Sequence, residues 1–282
     1  MPGSNERALD KARGLPADAL ILDLEDAVAP NDKQIARECI ARAMRGGGYG
    51  QREIIVRVNG LDTEWGRDDV GSIATLPIDG VLFPKVETAQ DVLDAEKTLA
   101  EAGAPGDLAI WTMAETPRGI LNLDAVASAS PRLACIVAGT SDLSKDMRVP
   151  HTVNRLGFLV PLTTCVLAAR ANGLDVLDGV HLNFKDLDEF RAICEQGREL
   201  GFDGKTLIHP SQIAAANEVF APAGHEVDTA RAILKAWDAA RAEGKGLVVL
   251  EGRLIENLHV EEAKRTLALA DGIAALGQGA KA

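Results

Sequence analysis

Seven short apolar runs between Ala19 and His209 constrain the fold of this chain more than any other feature. Each run is nearly continuous rather than alternating, which is the pattern of parallel strands buried on both faces. Amphipathic helical stretches separate the runs, and this alternation predicts a parallel sheet with right-handed crossovers. The predicted strands are Ala19–Val28, Glu53–Asn59, Gly80–Val86, Leu108–Glu115, Cys135–Asp142, Leu174–Val180 and Gly204–His209.

Helical patterns fill the intervals and continue beyond the last strand. Thr88 and Asp91 have the spacing of a capping box, and Asp186 with Glu189 marks another helix start. The predicted helices include Asp32–Arg45 and, near the C-terminus, Pro210–Phe220, Glu226–Glu243 and Val260–Leu276, with an extended run at Gly246–Leu250. We therefore predict an α/β barrel domain over residues 1–220 and a C-terminal helical extension over residues 221–282, which forms a lid or an oligomer contact.

The strand count predicts a TIM-type (β/α)8 barrel that lacks one strand. A chain of 282 residues is within the usual length of such a barrel. Met1-Pro2-Gly3-Ser4 already has the composition of a turn from a strand to a helix. We therefore expect a first strand upstream of Met1, and an extended chain that is no more stable than this one would contradict that expectation.

Composition narrows the class of partner and the compartment. The net charge of −12 and the isoelectric point near 4.9 disfavour nucleic acid and anionic membrane surfaces, because both would repel the protein. The four cysteines form no CxxC pair and lie in apolar patterns, which is typical of buried thiols in a reducing compartment. Since the sequence also shows no signal peptide, lipidation motif or long apolar span, we expect a cytoplasmic protein.

Polar side chains gather where the predicted strands end. Active sites of parallel α/β sheets lie at the carboxyl ends of the strands. Burying several charges at one rim costs desolvation energy unless they pair or hold a metal, so the clustering indicates an enzyme. The residues concerned are Glu25, Asp26, Arg57, Asn59, Lys85, Glu115, Asp142, Asp178, His181 and His209.

The acids among these residues indicate a hard cation. Glu25, Asp26, Glu115 and Asp142 all offer oxygen ligands, and no His or Cys cluster has zinc-like spacing. Mg²⁺ commonly takes one or two carboxylates and completes its octahedron with waters and substrate oxygens. Arg57 adds a fixed positive fork for a carboxylate or an enolate oxygen. Together these groups favour chemistry in which a carbonyl or thioester is polarised.

Lysine-based chemistry is the alternative at this rim. Lys85 ends a predicted strand, where a Schiff-base lysine of a barrel aldolase would stand, and Lys205 carries the same ambiguity. The neighbouring acids would keep Lys85 protonated, so we interpret it as a structural or anion-pairing lysine. A Schiff-base enzyme would instead lose activity on borohydride treatment with a keto acid present and would ignore chelators.

Several motifs resemble the HpcH/HpaI aldolase–citrate lyase superfamily, and in particular its citrate lyase β-subunit-like CoA ester lyases. The blocks occur in order along nearly the whole chain, which makes them far more specific together than singly. They are PGSNERALDKA (Pro2–Ala12), ILDLEDAVAP (Ile21–Pro30), VRVNGLDTEWGRDD (Val56–Asp69), PKVETAQDV (Pro84–Val92), AETPRGILN (Ala114–Asn122), GTSDLSKDM (Gly139–Met147) and GFDGKTLIHPSQI (Gly201–Ile213).

The resemblance implies an Mg²⁺-dependent barrel enzyme, with Mn²⁺ as an alternative metal, that takes a CoA thioester as substrate. It implies a role for each residue that matches a family motif. The matches are Glu115 and Asp142 as metal ligands, Arg57 as the residue that stabilises the enolate or binds the keto acid, Glu25 and Asp26 as acids that hold metal-bound waters, Gly139 and Thr140 as backbone contacts to a substrate carboxylate, and Lys11 with Arg7 near the CoA phosphates.

The C-terminal block EGRLIENLHVEEA (Glu251–Ala263) leaves the reaction open. In relatives that cleave malyl-CoA, a lid brings an aspartate over the active site, often from a neighbouring subunit, and the matching residue here is Glu256. A general acid–base is sensitive to shifts of about 1 Å, so the longer side chain matters. The first expectation is retro-Claisen cleavage of a malyl-CoA or citramalyl-CoA type ester to a keto acid, and the second is hydrolysis of the same thioester.

Two further expectations concern assembly. The lid resemblance implies a homotrimer or a hexamer. The chain also resembles the β subunit of a citrate lyase, which would act on a carrier-bound thioester; turnover of free CoA esters by the isolated chain would argue against that reading. The partners expected are therefore small molecules, a CoA ester and a keto acid.

Overall fold

The computed structural model describes residues 1–242, 244 and 247–279. Its centre is a curled sheet of parallel strands in which each strand is hydrogen-bonded to the next along the chain. The seven strands of this sheet are β1 (Ala19–Asp23), β2 (Glu53–Arg57), β3 (Gly80–Phe83), β4 (Ala109–Ala114), β5 (Leu133–Ala138), β6 (Asp175–Asp178) and β7 (Gly204–Lys205). The predicted α/β class, the parallel order and all seven strand positions are confirmed.

The strands end earlier than predicted, and one candidate metal ligand therefore lies in a helix and not at the end of a strand. The run Cys135–Asp142 was expected to be a single strand, but β5 stops at Ala138. Gly139 then begins a helix, so Asp142 lies in the first helical turn. The expectation that Asp142 ends a strand is therefore wrong. The physical reason is that the chain turns at Gly139, the N-cap of the helix, so that Thr140, Ser141 and Asp142 form the first helical turn.

Closure of the sheet stays a prediction. Among residues 1–242, 244 and 247–279, no strand pairing joins β7 to β1. Instead Pro2 forms a parallel bridge with Asp23, and the Asp23 N–H donates to the Met1 carbonyl at 2.8 Å. The structure thus shows an α/β fold with seven parallel strands, and the eighth strand remains an expectation.

A cluster of apolar side chains fills one face of the sheet. Alternate residues of a strand point to opposite faces, so Trp111 and Met113 of β4 share a face, as do Cys135 and Val137 of β5. Ile55 of β2 packs in the same cluster. Because the opposite face is buried as well, nearly every position of these strands is apolar, which explains the continuous runs in the sequence.

Helices connect the strands, and the predicted caps form. Thr88 and Asp91 exchange both hydrogen bonds of a capping box, and the Asp186 carboxylate accepts the Glu189 N–H at 2.9 Å. The helices are α1 (Glu6–Ala12), α2 (Lys33–Gly46), α3 (Gly66–Ile73), α4 (Ala89–Glu101), α5 (Pro117–Leu121), α6 (Leu123–Ala127), α7 (Thr140–Met147), α8 (Leu159–Asn172), α9 (Leu187–Leu200), α10 (Ile213–Phe220), α11 (Gly224–Ala242) and α12 (Asn257–Gly279), with short 3-10 turns at Pro30–Asp32, Leu156–Phe158 and Pro210–Gln212.

The chain divides into two compact units, Met1–Asn217 and a second that begins at Glu218. In the second unit, β8 (Val248–Leu250) and β9 (Arg253–Ile255) form an antiparallel hairpin, and β9 was not predicted. Trp237, Ile255 and Val260 form its small core. No helix in the described part of the chain is long and apolar enough to cross a membrane.

One buried carboxylate joins three segments of the first unit. Both oxygens of Asp178, at the end of β6, accept from Arg155 Nη1 at 2.7 Å. Lys205 of β7 donates to Asp178 Oδ2 at 2.9 Å and also to the Gly179 carbonyl. All three side chains are almost completely buried, and burial lowers the pKa of the Lys205 ammonium despite the opposing charge of Asp178. Lys205 is therefore a structural cation in this cluster.

Candidate active site

The loop after β1 is organised around Asp23, a residue that the sequence reasoning missed. Its buried carboxylate accepts the backbone N–H groups of Glu25 at 2.9 Å and Ala27 at 3.1 Å. The turn therefore wraps around a strand-end carboxylate. It leaves the Glu25 side chain buried and the Asp26 side chain largely exposed.

A buried lysine holds the same loop from behind. Lys33 Nζ donates to the carbonyls of Leu24 at 2.7 Å and Glu25 at 2.8 Å, and to Asn59 Oδ1 at 2.8 Å. Asn59 follows β2, and its amide donates to Asp69 at 2.6 Å. Lys33 therefore joins the loops that follow β1 and β2. The sequence carried only a weak sign of it, a cation at the start of a helix.

Arg57 ends β2 and is held in a fixed orientation. Its Nε and Nη2 donate to the two oxygens of Asp23 at 2.7 and 2.6 Å, while Nη1 lies 2.9 Å from Glu25 Oε2 and 3.9 Å from Asp26 Oδ2. Burial alone would raise the pKa of the Asp23 carboxyl, but the hydrogen bonds and charge of Arg57 outweigh it and lower that pKa. Two guanidinium nitrogens are thus committed to Asp23, and Nη1 faces the remaining acids.

Glu115 directly follows β4 and is a buried carboxylate. Its Oε1 accepts the backbone N–H of Lys85 at 2.8 Å. Burial, reinforced by the charges of Glu25 and Asp142, raises the pKa of Glu115 to about 7. A Cβ at Gly139 would lie 2.3 Å from the Glu115 Cβ and 2.6 Å from its Oε2, so only glycine leaves room for this side chain.

Lys85 completes the cluster. Its Nζ lies 3.1 Å from Glu25 Oε1 and 3.5 Å from Asp142 Oδ2. Burial works against the charged form, but the charges of Glu25, Asp142 and Glu115 outweigh it and raise the pKa of the Lys85 ammonium above its ordinary value. A lysine that stays protonated is a poor Schiff-base nucleophile, so the geometry supports the anion-pairing interpretation.

Gly139 is the N-cap of α7, and Thr140 is the first residue of that helix. The Gly139 N–H donates to the Ala114 carbonyl at 3.0 Å and its carbonyl accepts from Leu143, so both backbone groups are engaged. The buried Thr140 hydroxyl donates to the Val180 carbonyl at 3.4 Å. The backbone contacts of Gly139 and Thr140 to a substrate carboxylate stay predictions.

The structure brings Arg57, Glu25, Lys85, Asp142 and Glu115 into one continuous array, which we call the rim cluster. The other predicted rim residues have different surroundings. Asp178 belongs to the buried cluster with Arg155 and Lys205, and His209 bonds to Ser211 and stacks on Phe184.

Three further predicted site residues are exposed. Lys11 and Arg7 are exposed on α1. Glu256 is exposed in the second unit, immediately before α12, where its backbone N–H donates to His259 Nδ1 at 3.1 Å. The roles expected of these side chains stay predictions.

The carboxylates of the rim cluster fit an oxygen-preferring cation. Among the described residues there is no group of three or more His, Cys, Asp or Glu side chains arranged as a complete metal cage. Zinc sites of structural type require such a cage, whereas Mg²⁺ needs only one or two protein carboxylates. Glu115 and Asp142 meet the second requirement.

Comparison with known proteins places this arrangement in a family. The model of the HpcH/HpaI aldolase/citrate lyase family matches residues 1–210. The chain therefore belongs to the HpcH/HpaI aldolase/citrate lyase family, as its motifs indicated, and this is a family of CoA-ester lyases and thioesterases.

Individual relatives match nearly the whole chain. It is 49% identical over 277 residues to a (3S)-malyl-CoA thioesterase of Cereibacter sphaeroides, with 98% of this chain and 95% of the relative covered. It is 36% identical over 276 residues to the citrate lyase subunit beta of Escherichia coli, covering 96% and 91%. Among solved structures, the protein CitE of Mycobacterium tuberculosis in complex with magnesium, acetoacetate and coenzyme A matches with a TM-score of 0.78 and 27% identity, covering 96% of each chain.

Proposed function

We propose that this protein is a Mg²⁺-dependent enzyme that hydrolyses a β-hydroxyacyl-CoA thioester of the malyl-CoA type. The observation that carries the proposal is the rim cluster, in which a fixed arginine, a lysine and three carboxylates meet at the carboxyl ends of neighbouring strands. Relatives at 48–49% identity over 98% of the chain are named (3S)-malyl-CoA thioesterase, which favours hydrolysis as the reaction.

The donor set supports magnesium as the cofactor, with manganese as the alternative. Glu115 and Asp142 would hold the ion, and Gly139 leaves the room that Glu115 needs. When bound, the ion supplies Lewis-acid polarisation of substrate oxygens. Glu25 and Asp26 would hold waters in the site. The magnesium present in the CitE complex supports the same assignment.

Arg57 would act as the electrostatic stabiliser. Hydrolysis adds water to the thioester carbonyl carbon and places negative charge on the carbonyl oxygen. Arg57 Nη1 is the guanidinium nitrogen that Asp23 does not hold, and it carries two N–H groups, so it would donate to that oxygen as well as to Glu25. The tetrahedral intermediate collapses with cleavage of the C–S bond, and the proton lost by the water ends on the CoA thiol. Glu256, the residue that matches the lid aspartate of relatives that cleave malyl-CoA, is our candidate for the general base.

Carbon–carbon cleavage of the same ester is the second candidate. In that reaction the substrate hydroxyl loses its proton, the C–C bond breaks, and an acyl-CoA enolate forms beside a keto acid. Arg57 would stabilise the enolate oxygen and Glu256 would protonate its carbon. The 36% identity to citrate lyase subunit beta favours this reaction. Hydrolysis and cleavage share the rim cluster, so their products must distinguish them.

A product assay tests the proposal. The purified chain is incubated with (3S)-malyl-CoA in Mg²⁺ or in EDTA, and free thiol and glyoxylate are followed in parallel. Mg²⁺-dependent thiol release without glyoxylate supports hydrolysis, and glyoxylate with acetyl-CoA moves the assignment to cleavage. Absence of Mg²⁺-dependent turnover of malyl-CoA would overturn the proposal.

Matched arginine variants show whether turnover depends on the rim cluster. Arg57→Met should lower kcat/KM by roughly two to three orders of magnitude, as loss of an oxyanion-type donor does. Arg170→Met removes a surface arginine paired with Asp203 and should leave kcat/KM unchanged. Lys11→Met and Arg7→Met, which test the proposed CoA-phosphate contacts, should raise KM and leave kcat intact. The proposed homotrimer or hexamer is checked by light scattering.

A further inference from the structure

Lys85 has an unusual backbone conformation for a residue with a side chain. Its φ is +50°, in the left-handed region that favours glycine. This conformation directs the Lys85 N–H onto Glu115 Oε1 at 2.8 Å, so glycine at this position would make the same hydrogen bond without strain. The function of the side chain must therefore account for a lysine at this strained position.

The side chain points its charge at the proposed metal site. Nζ lies 3.1 Å from Glu25 and 3.5 Å from Asp142, while the backbone of the same residue contacts Glu115. The rim cluster carries three carboxylates against Arg57 and Lys85. Two Arg57 nitrogens are committed to Asp23, whereas the Lys85 ammonium forms an ion pair with the proposed metal ligand Asp142.

We infer that the Lys85 ammonium repels a divalent cation bound at Glu115 and Asp142. Lys85 thereby lowers the affinity of the site for the metal before substrate binds. This inference rests on the proposed metal site. A fixed positive charge beside Asp142 shares its carboxylate and repels a dication. An anionic substrate offsets that repulsion, so the metal and the substrate are retained together.

The alternative role for Lys85 predicts the opposite sign. If the ammonium served to orient Glu25 and Asp142 for the metal, its removal would weaken metal binding. If it opposes the metal, its removal strengthens binding. The Lys85 side chain is about half exposed, so solvent screens the repulsion nearly as bulk water does. Removing a repulsion of that size should lower the Kd for the metal roughly tenfold.

The test is titration of the whole chain with Mn²⁺ alone, without substrate, followed by the EPR signal of the free ion. Lys85→Met removes the charge and keeps an unbranched side chain of similar length. Lys85→Gly removes the charge and relieves the φ strain, so it serves if the methionine variant folds poorly. Lys85→Arg keeps the charge. Lys97→Met is the matched control, because Lys97 is an exposed lysine of α4 paired with Glu101.

We expect the Kd for Mn²⁺ to fall by roughly tenfold in Lys85→Met and Lys85→Gly, and to stay within about twofold of wild type in Lys85→Arg and Lys97→Met. The Mn²⁺-induced rise in Tm should be larger in the uncharged variants. Equal or weaker binding by both uncharged variants, with a wild type that binds, would overturn this inference alone. No binding by any variant would overturn the metal site and this inference with it.

Discussion

Replacing Asp23 by asparagine tests whether one missed residue holds the rim cluster together. Each Asp23 oxygen accepts one backbone N–H and one Arg57 N–H: Oδ1 from Glu25 and Nε, and Oδ2 from Ala27 and Nη2. An asparagine has a single acceptor oxygen at this position. Whichever way its amide turns, one backbone donor and one guanidinium donor lose their acceptor and face an NH₂ group instead.

The expected loss of stability follows from those contacts. A hydrogen bond to a charged group contributes about 1.5–3 kcal/mol and a neutral one about 1 kcal/mol, and breaking a buried ion pair costs about 3–5 kcal/mol. We therefore expect Asp23→Asn to lower the free energy of unfolding by about 3 kcal/mol. For a unit of this size that corresponds to a fall in Tm of about 10 °C. Since Arg57 loses its fixed orientation, kcat/KM for the thioester should fall about 100-fold.

Thermal unfolding and the thiol-release assay together measure this prediction. Asp203→Asn is the matched control, because Asp203 and Arg170 form a bidentate pair at 2.7 and 2.9 Å on the surface. An exposed pair of this kind is worth at most about 1 kcal/mol, and the asparagine oxygen can still accept the Val176 N–H that Asp203 Oδ2 accepts at 2.9 Å. This control should therefore leave kcat/KM unchanged. If Asp23→Asn lowered Tm no more than the control and kept kcat/KM within about twofold of wild type, the reasoning about Asp23 would be refuted.

Three further outcomes follow. The lowered pKa of Asp23 means that its stabilisation is present at neutral pH and lost as pH falls below about 4, so the Tm gap between wild type and Asp23→Asn should narrow in acid melts. Gly139→Ala would place a Cβ against Glu115, so it should lower the free energy of unfolding in urea by about 1–3 kcal/mol and weaken Mn²⁺ binding. Gly71→Ala is the control: its Cβ would lie in open space within α3, and the change should be neutral or stabilising. Lys33→Met should lower the free energy of unfolding in urea by about 3 kcal/mol, because it leaves the carbonyls of Leu24 and Glu25 without their donor.

Each of these outcomes has a clear contrary result. A Tm gap that stays constant down to pH 3 would mean that Asp23 does not titrate as its contacts require. Equal unfolding midpoints for Gly139→Ala and Gly71→Ala would show that the Glu115 side chain has another place to go. An unchanged midpoint for Lys33→Met would show that water replaces the ammonium without cost.

The central sheet was predictable because its strands are buried on both faces. Such strands leave continuous apolar runs such as Leu133–Ala138, which a local pattern detects. The strand ends were less predictable. In the segment Val137–Leu143 the composition stays apolar or small while the chain turns from a strand into a helix, so Asp142 was assigned to the wrong element. β9 was missed because a three-residue strand carries too little pattern.

The acids and the arginine of the rim cluster were predictable from their places after strands, but the residues that position them were not. Asp23 lies beside two other acids in the sequence, and its role depends on Arg57, which is 34 positions away. Lys33 acts through Asn59, which is 26 positions away. Contacts between side chains that are so far apart in the sequence leave no local pattern. Their roles depend on which loops the sheet brings together.

The buried contacts of Asp178 have a consequence for how the molecule opens. One carboxylate is shared by two cations, from Arg155 before α8 and from Lys205 on β7, and the group carries an excess positive charge with almost no access to water. Displacing β6 alone would leave the Arg155 and Lys205 cations buried without their counter-charge, which is costly. We therefore expect β6 to exchange its amide hydrogens only when the segment before α8 and β7 open with it, as one unit of local unfolding.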